Sequence, residues 1–140
     1  GAELRVRLRL SQDRPGQLQR PAHQSFGGYG SASCLALLAF AGEEERLQFM
    51  EAHPFYEEGV ALWGTLDNLE AYLDRVREQG VAVLPFKEPH LRAAVPVCSG
   101  NGDFRGTLGV SLRGEEAKKT RARRAAIDAI VTTAQSLSNV

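Results

Sequence analysis

The stretch from Leu91 to Leu112 reads LRAAVPVCSGNGDFRGTLGVSL and decides the fold of this chain. Residues 93–98 and 107–112 form two apolar runs, which the polar sequence of residues 99–103 separates. Asn101 and Gly102 in that polar sequence both tolerate the positive φ angles that tight hairpin turns require. Two apolar runs around such a turn predict an antiparallel β-hairpin.

The two strands of this predicted hairpin differ in composition. The first is almost continuously apolar, which is typical of a strand covered on both faces. The second alternates between large apolar residues and small residues. These two sets are Leu108, Val110 and Leu112 on one face and Thr107, Gly109 and Ser111 on the other. A face of small residues is either covered by a helix or kept open for a small ligand, and the hairpin sequence leaves both alternatives open.

Composition limits the class of protein. The 140 residues, 43% of them hydrophobic and 24% charged, are typical of one soluble globular domain. The formal net charge of zero gives no overall attraction to nucleic acid or to anionic lipid. There is no apolar run of about 20 residues, as a membrane span requires, and no signal peptide. We therefore expect a cytoplasmic protein, and, because the chain lacks an initiator Met, one that is part of a longer protein.

Cys34 and Cys98 both lie in apolar surroundings. We expect reduced core thiols, with a disulfide between the two as the alternative. Two cysteines without CxxC spacing supply too few ligands for a metal site, and no metal or cofactor is expected.

The N-terminal part of the chain predicts one strand and a long loop. Residues 4–10 alternate between leucine or valine and arginine, which indicates a strand with one buried face. Its arginine row is interpreted as a charged, protected strand face, with an anion-binding face as the alternative. Residues 11–29 are expected to be irregular. The glycine-rich stretch of residues 25–31 is either a flexible connection or an anion cradle before a helix.

Helical patterns dominate the rest of the chain. A buried helix is predicted from Ser31 to Ala41, with Ser31 or Ser33 as its cap. Another is predicted over residues 43–53 with Leu47, Phe49 and Met50 facing inward. A short extended piece is expected over residues 60–63. Further helices are predicted over residues 67–80, with a capping box at Asp67 and Glu70, and over residues 115–138. The basic first half of the last helix is interpreted as a solvated face rather than a nucleic-acid site.

Residues 31–138 resemble the C-terminal effector-binding domain of IclR-type bacterial transcription regulators. No single motif is specific, but their order and spacing are similar to those of the family. The motifs are SASCLALLAF at 31–40, EEER at 43–46, LDNL at 66–69, LDRVREQGVAV at 73–83, AVPV at 94–97 and the turn and strand of residues 102–111.

The resemblance implies an α+β fold of GAF-like (profilin-like) type, with helices packed on an antiparallel sheet. It divides the chain into a poorly matching strand and loop, residues 1–30, and an effector-binding domain, residues 31–140. It implies homodimers or tetramers, no membrane contact, and DNA contact only through a winged helix upstream of this chain.

The resemblance also implies a pocket on the sheet for a small organic molecule, a carboxylate or an aromatic acid. Carried over by position, its lining is Ala32, Ser33, Cys34, Arg92, Ala94, Cys98, Gly109 and Ser111. Ser33, Ser111 and Arg92 would bind the carboxylate, and Leu108, Val110 and Phe86 would surround its apolar part.

Two other functions compete with a sensor. An enzyme would use Cys34 as a nucleophile at a helix N-terminus, with His23, His53 or His90 as its base. No histidine lies in a nucleophile motif, so a protein without enzymatic activity is favoured. The second alternative is a GAF-like domain that has lost its ligand and serves as a dimerisation module. The family's acidic cluster is missing after residue 83, and Tyr29, Trp63 or Phe86 would then fill the pocket.

Overall fold

The structure, a computed structural model, describes residues 28–86 and 90–139 in full and the backbone of four short strands before them. Those strands are β1 (Leu4–Arg5), β2 (Arg9–Ser11), β3 (Arg14–Gln19) and β4 (Ser25–Phe26). The elements that follow are α1 (Ala32–Phe40), α2 (Glu43–Ala52), α3 (Phe55–Glu58), α4 (Val60–Trp63), α5 (Leu66–Gln79), β5 (Ala82–Val83), β6 (Leu91–Cys98), β7 (Phe104–Leu112), α6 (Gly114–Lys118) and α7 (Thr120–Leu137).

The predicted hairpin is the centre of the fold. Strands β5, β6 and β7 form an antiparallel sheet in that order, and β6 pairs with β7 along its whole length. Ser99 closes the turn, because its N–H donates to the Asp103 carbonyl at 2.8 Å and its carbonyl accepts from the Gly102 N–H at 2.9 Å. Gly102 has a φ of 86°, which a residue with a Cβ rarely adopts.

Helices cover both faces of this sheet, so the α+β fold class is confirmed. Helix α7 packs on one face, where it meets the large aliphatic residues of β6 and β7. Helix α1 packs on the other face, together with α5 and the helices between them. The alternating strand residues therefore belong to two separate clusters. The α7-facing cluster is built on Leu91, Ala93, Val95, Ile130 and Ala134.

Helix α1 is buried as predicted. Ser31 is its N-cap, and its hydroxyl accepts from the Cys34 N–H at 3.4 Å. At the other end, Arg77 of α5 donates from Nε to the Ala39 carbonyl at 2.9 Å and from Nη2 to the Leu38 carbonyl at 3.4 Å. The guanidinium thus satisfies carbonyls that the end of a helix leaves without partners, and it fixes α1 to α5.

Two predictions for the region after α1 are wrong. Leu47 is 61% exposed, while Phe49 is buried. Residues two positions apart on a helix point roughly 200° apart, so burial of Phe49 turns Leu47 to solvent.

Residues 60–63 are helical rather than extended. The Trp63 indole N–H donates to the Tyr29 carbonyl at 3.0 Å, a tertiary contact that local sequence does not reveal.

Helix α5 has the predicted extent and buried face but a different cap. Thr65 is the N-cap, and its hydroxyl accepts from the Asn68 N–H at 3.2 Å. Asp67, predicted to open a capping box, lies inside the first turn. Gly80 ends the helix in the left-handed conformation, with a φ of 80°.

The long C-terminal helix is broken at Lys119, which is extended, so the prediction of one helix over residues 115–138 is wrong. Ala117 and Ile130 are both buried. In one continuous helix these residues, 13 positions apart, would point about 140° away from each other. The break at Lys119 changes the direction of α6 relative to α7, and this allows Ala117 and Ile130 both to be buried.

The prediction of an irregular loop over residues 11–29 is wrong at two places, because strands β3 and β4 lie within this range. β3 pairs with β2, and β4 pairs with β1. Pro15 and Gly16 in β3 argue locally against a strand, but cross-strand pairing overrides this preference. Of residues 25–31, for which a flexible connection is favoured over an anion cradle, residue 27 lies outside the described residues, and so does His23. None of the helices in the described ranges combines the length and apolar character that crossing a membrane requires.

Candidate functional site

The candidate site lies where the first turn of α1 crosses the small-residue face of β6 and β7. The strand register places Arg92 opposite Ser111 and Ala94 opposite Gly109. A Cβ placed on Gly109 would lie 3.6 Å from Ser33 Oγ and 3.9 Å from Ala94 Cβ. The structure therefore brings Ser33 of α1 and these strand residues together, and the glycine permits the close approach of the helix to the strand.

Exposure varies across this face. Gly109 and Ser111 are exposed, and Ala32, Ser33 and Arg92 are half-buried. A sheet covered completely by a helix would bury all of these residues. The two β7 residues at the open side therefore remain accessible to a small molecule.

Arg92 carries a buried polar atom without a partner. Its Nε is inaccessible and has no hydrogen-bond partner, and the same holds for Nδ1 of His90 two residues earlier. A buried donor without an acceptor costs about 1–3 kcal/mol. Arg92 is also paired with Ser111 in the strand register, and arginine binds carboxylates through paired N–H donors.

Cys34 and Ala94 lie beneath the candidate site rather than on its surface. Both are fully buried. Burial raises the pKa of the Cys34 thiol to about 11, against a smaller lowering of that pKa by its hydrogen bond with Ser31. An activated nucleophile needs a lowered pKa and access to its substrate. Cys34 has neither.

Cys98 lies away from the rest of the set. It is half-buried beside the hairpin turn, opposite Phe104. Six residues separate it from Arg92 along β6, which corresponds to about 20 Å at 3.3 Å per residue. One small molecule cannot contact both side chains. Cys34 and Cys98 are both thiols, in agreement with the expectation for the two cysteines.

The apolar residues expected around the ligand are only partly on the correct face. Leu108 and Val110 pack in the α7-facing cluster, on the side of the sheet opposite Ser33, so this prediction is wrong. Strand alternation alone requires this, because their neighbours Gly109 and Ser111 face α1. Phe86 packs on the α1 side.

Aromatic side chains hold the loop that leads into α1. The Tyr29 ring packs edge-on against Phe49 and Phe55, with centroid distances of 5.5 and 5.4 Å. Its hydroxyl donates to the His53 carbonyl. Trp63, which binds the Tyr29 carbonyl, packs against Tyr72 and Phe86 at 4.8 and 5.0 Å.

Sequence reasoning missed this anchoring role of Tyr29. A lone aromatic residue between glycines, as in the sequence GGYG of residues 27–30, is a signal that could have indicated it. Gly109 and Ser111 remain exposed, so Tyr29, Trp63 and Phe86 do not close the face of β7.

Metal binding finds no support in the described part of the chain. No group of three or more His, Cys, Asp or Glu side chains in residues 28–86 and 90–139 is arranged to hold a metal ion. The polar groups at the candidate site are a guanidinium and hydroxyls, which suit an anion or a hydrogen-bonding organic molecule.

Comparison with solved structures gives the class of this fold. No protein-family model matches the sequence, and no curated protein matches it. The structure, however, matches C-terminal and inducer-binding domains of transcriptional regulators. The chain has the fold of the C-terminal domain of IclR-type regulators, which confirms the predicted resemblance.

Three matches illustrate the similarity. A protein assigned as an IclR transcriptional regulator of Silicibacter sp. TM1040 superposes with a TM-score of 0.68 and 20% identity, over 99% of this chain and 55% of that one. The C-terminal domain of Escherichia coli KdgR gives 0.59 and 25%, over 79% and 68%. The inducer-binding domain of Acinetobacter PobR, a double mutant in complex with 3-hydroxybenzoic acid, gives 0.65 and 15%, over 93% and 77%.

The chain spans about half the length of the first regulators it matches. These structural neighbours are regulatory proteins rather than enzymes.

Proposed function

We propose that this chain is the effector-sensing domain of a bacterial transcriptional regulator. It binds a small organic carboxylate or aromatic acid on the α1-facing side of β6 and β7. Residues 31–140 form the sensing domain, and DNA contact belongs to a separate domain of the regulator. Effector binding shifts the balance between two arrangements of a homodimer or tetramer, because the effector has a higher affinity for one of them.

One observation carries this proposal: a small-residue face stays exposed beside a guanidinium with a buried, unpartnered donor. Gly109 and Ser111 are accessible, and Arg92 Nε has no acceptor among the described residues. A carboxylate between Arg92 and Ser111 would accept from both side chains. Ser33 Oγ lies beside Gly109 and supplies a second hydroxyl.

The predicted pocket residues differ in their distance from the proposed effector. Arg92, Gly109, Ser111 and Ser33 contact the effector, with Ala32 at the edge. Ala94 and Cys34 form the buried floor and contact the effector only if α1 moves. Cys98 lies outside the proposed site, because its separation from Arg92 along β6 is about 20 Å at 3.3 Å per residue.

A thermal-shift screen tests the proposal. The panel contains 3-hydroxybenzoate, benzoate, short aliphatic acids and neutral sugars. A ligand at 100 times its dissociation constant adds about 2.7 kcal/mol of stability, a rise in melting temperature of several degrees for a domain of this size. We expect acids to give the shift and sugars to give none.

Variants then locate the site. Ser111→Leu fills the open face, and we expect it to abolish the ligand-induced shift. Thr133→Leu is the matched control, because Thr133 is exposed on α7, on the other side of the sheet. Unchanged binding by Ser111→Leu would show that the site is elsewhere.

The second candidate function is a dimerisation module without a ligand. Complete burial of Cys34 and Ala94 favours it, because α1 rests directly on the centre of the sheet. This candidate predicts no thermal shift with any acid of the panel, combined with self-association of the chain in solution.

A further inference from the structure

Three buried side-chain nitrogens in the described part of the chain have no hydrogen-bond partner. They are Arg46 Nε, His90 Nδ1 and Arg92 Nε. The Arg46 guanidinium is nevertheless paired, because its Nη2 lies 3.0 Å from Glu70 Oε1. Neither His90 nor Arg92 forms an ion pair with a carboxylate of residues 28–86 and 90–139. Two unpartnered nitrogens therefore lie two residues apart beside the candidate site, and the proposed function uses only that of Arg92.

Strand pairing places His90 on the same side of the sheet as Arg92. The Leu84 N–H donates to the Arg92 carbonyl at 2.8 Å, in the antiparallel register of β5 with β6. Continuing this register by two residues sets Phe86 opposite His90. Side chains of directly opposed residues lie on the same face of a sheet. Leu84 and Phe86 both pack on the α1 side, so Arg92 and His90 belong to that side as well.

The two unpartnered nitrogens are close enough for one small molecule to reach both. Residues two positions apart in an extended chain are separated by about 6.6 Å, at 3.3 Å per residue. His90 and Arg92 are both half-buried. Arginine Nε is a donor, and histidine Nδ1 is a donor when it carries the ring proton. Because the two nitrogens make no hydrogen bond with each other, two separate acceptors are needed to satisfy them.

The charge of this site favours acceptors that are anionic. Arg92 is positively charged, and protonation of His90 adds a second positive charge. The other residues proposed to contact the effector are Ala32, Ser33, Gly109 and Ser111, and none of them is acidic. Hydrogen bonds with a charged partner are roughly twice as strong as those between neutral groups. Two anionic groups therefore suit the site better than one anionic and one apolar group.

We propose that the effector is a dicarboxylate and that His90 is the residue that selects it. This inference rests on the proposed function: one carboxylate accepts from Arg92 and Ser111, as described there. The second carboxylate accepts from Nδ1 of His90. The carbons that join the two carboxylates lie beside Phe86, the residue opposite His90. A monocarboxylate of the same length satisfies Arg92 but leaves His90 Nδ1 without an acceptor.

Isothermal titration calorimetry of the wild-type chain with matched acids tests the ligand class. Glutarate is compared with pentanoate, and isophthalate with 3-methylbenzoate. In each pair, a methyl group replaces one carboxylate and the size of the molecule is kept. We expect the diacid of at least one pair to bind at least ~10-fold more tightly than its monoacid, which corresponds to about 1.4 kcal/mol.

The outcomes separate this inference from the proposed function. Equal binding within both pairs, or tighter binding of the monoacids, would overturn the dicarboxylate and leave the proposed carboxylate site intact. Absence of binding by these acids and by every acid of the thermal-shift panel would overturn both proposals. Inorganic phosphate carries its charge on a single group and should bind more weakly than the diacid. Equal binding of phosphate would show that net charge, and not two spaced acceptors, decides affinity, and would also overturn the dicarboxylate.

Substitution of His90 then tests its role. We expect His90→Leu to weaken binding of the diacid at least ~10-fold, to the level of the monoacid, and to leave monoacid binding unchanged. An equal loss for both acids would mean that His90 only supports the fold of the site. His90→Asn keeps an N–H donor near the position of Nδ1 and should retain the preference for the diacid. Loss of that preference in His90→Asn would contradict donation from Nδ1.

His53→Leu is the matched control. It makes the same chemical change at a half-buried histidine, whose Nδ1 lies 3.1 Å from Glu58 Oε2, outside the candidate site. Both acids should bind this variant as they bind the wild type. A loss of diacid preference in His53→Leu equal to that in His90→Leu would overturn the assignment of selectivity to His90.

Discussion

The two faces of the central sheet are built for different purposes. The α7-facing side of β6 carries Leu91, Ala93, Val95 and Val97, and large aliphatic residues of β7 pack beside them. The α1-facing side has Arg92, Ala94 and Pro96 in the same strand, opposite Ser111, Gly109 and Thr107. One backbone supplies both faces, and only the alternation of side chains distinguishes them.

This difference teaches how the two faces contribute to stability. Buried aliphatic area contributes about 25 cal/mol per Å², and both sides supply it, the larger buried cluster being the one around α1 and α5. The α1-facing side has buried residues at its centre and accessible glycine and serine at its edge. A sheet held firmly on one face can leave part of the other face open without loss of the fold.

The largest expected effect comes from the α7-facing side. Leu91→Ala removes a fully buried side chain from its cluster and should lower the free energy of unfolding by about 2–5 kcal/mol. Urea denaturation measures this loss. Leu137→Ala makes the same chemical change at a position 46% exposed and should cost much less. Equal losses in the two variants would mean that the α7-facing cluster does not carry the stability of the domain.

The second-largest effect is a pH dependence of stability that comes from Cys34, in the buried centre of the α1-facing side. Burial raises the pKa of Cys34 from 9.0 to about 11. Above pH 9 the unfolded chain loses this proton while the folded chain keeps it, so stability falls as the pH rises from 9 to 11. A two-unit difference in pKa corresponds to about 3 kcal/mol.

Urea denaturation between pH 8 and about 9.5 measures the start of this dependence. Burial raises the pKa of Tyr29 and Tyr72 from 10.0 to about 12, so their contribution to the alkaline loss begins mainly above that range. Cys34→Ala is the control: its stability should vary less over the same range. An equally steep decline in Cys34→Ala would assign the alkaline loss to another group.

A smaller effect is expected one residue after Leu91. Arg92→Met replaces a partly buried guanidinium, whose Nε has no partner, with an apolar side chain of similar length. Because an unsatisfied donor is removed, stability should stay within about 1 kcal/mol of the wild type, or rise. Urea denaturation again gives the value, and the thermal-shift screen should show that acid binding is lost. A large destabilisation would mean that Arg92 has a structural role.

The smallest effect should come from the open edge of the α1-facing side. Ser111 is exposed and borders the candidate site. Ser111→Leu should change the free energy of unfolding by less than about 0.5 kcal/mol, as is usual for surface substitutions. Thermal unfolding without ligand measures this. A loss comparable to that of Leu91→Ala would show that the two faces are equally tightly packed.

Strong local patterns allowed much of the fold to be predicted. The hairpin followed from its two apolar runs and the turn at Gly102, and the two faces of β7 followed from the alternation of residues 107–112. Helix α5 followed from its apolar spacing and from Gly80. The candidate site residues Ser33, Arg92, Gly109 and Ser111 followed from family resemblance and strand alternation, and the structure brings them to one face.

The remaining errors share a cause, which is that tertiary contacts decided the outcome. The helical state of residues 60–63 accompanies a hydrogen bond to Tyr29, more than 30 positions earlier. Burial of Phe49 turned Leu47 outward. The break at Lys119 depends on where Ala117 must pack. The separation of Cys98 from Arg92 is the exception, because it follows from six positions along one strand at about 3.3 Å each.

Trp63 has a consequence for experiment. It is the only tryptophan in the 140 residues, and its indole N–H donates to the carbonyl of Tyr29, three residues before the start of α1. Indole emission depends on hydrogen bonding and polarity, so the chain contains its own optical probe. A displacement of α1 would change the emission wavelength of unlabelled protein, and stopped-flow fluorescence could time that movement directly.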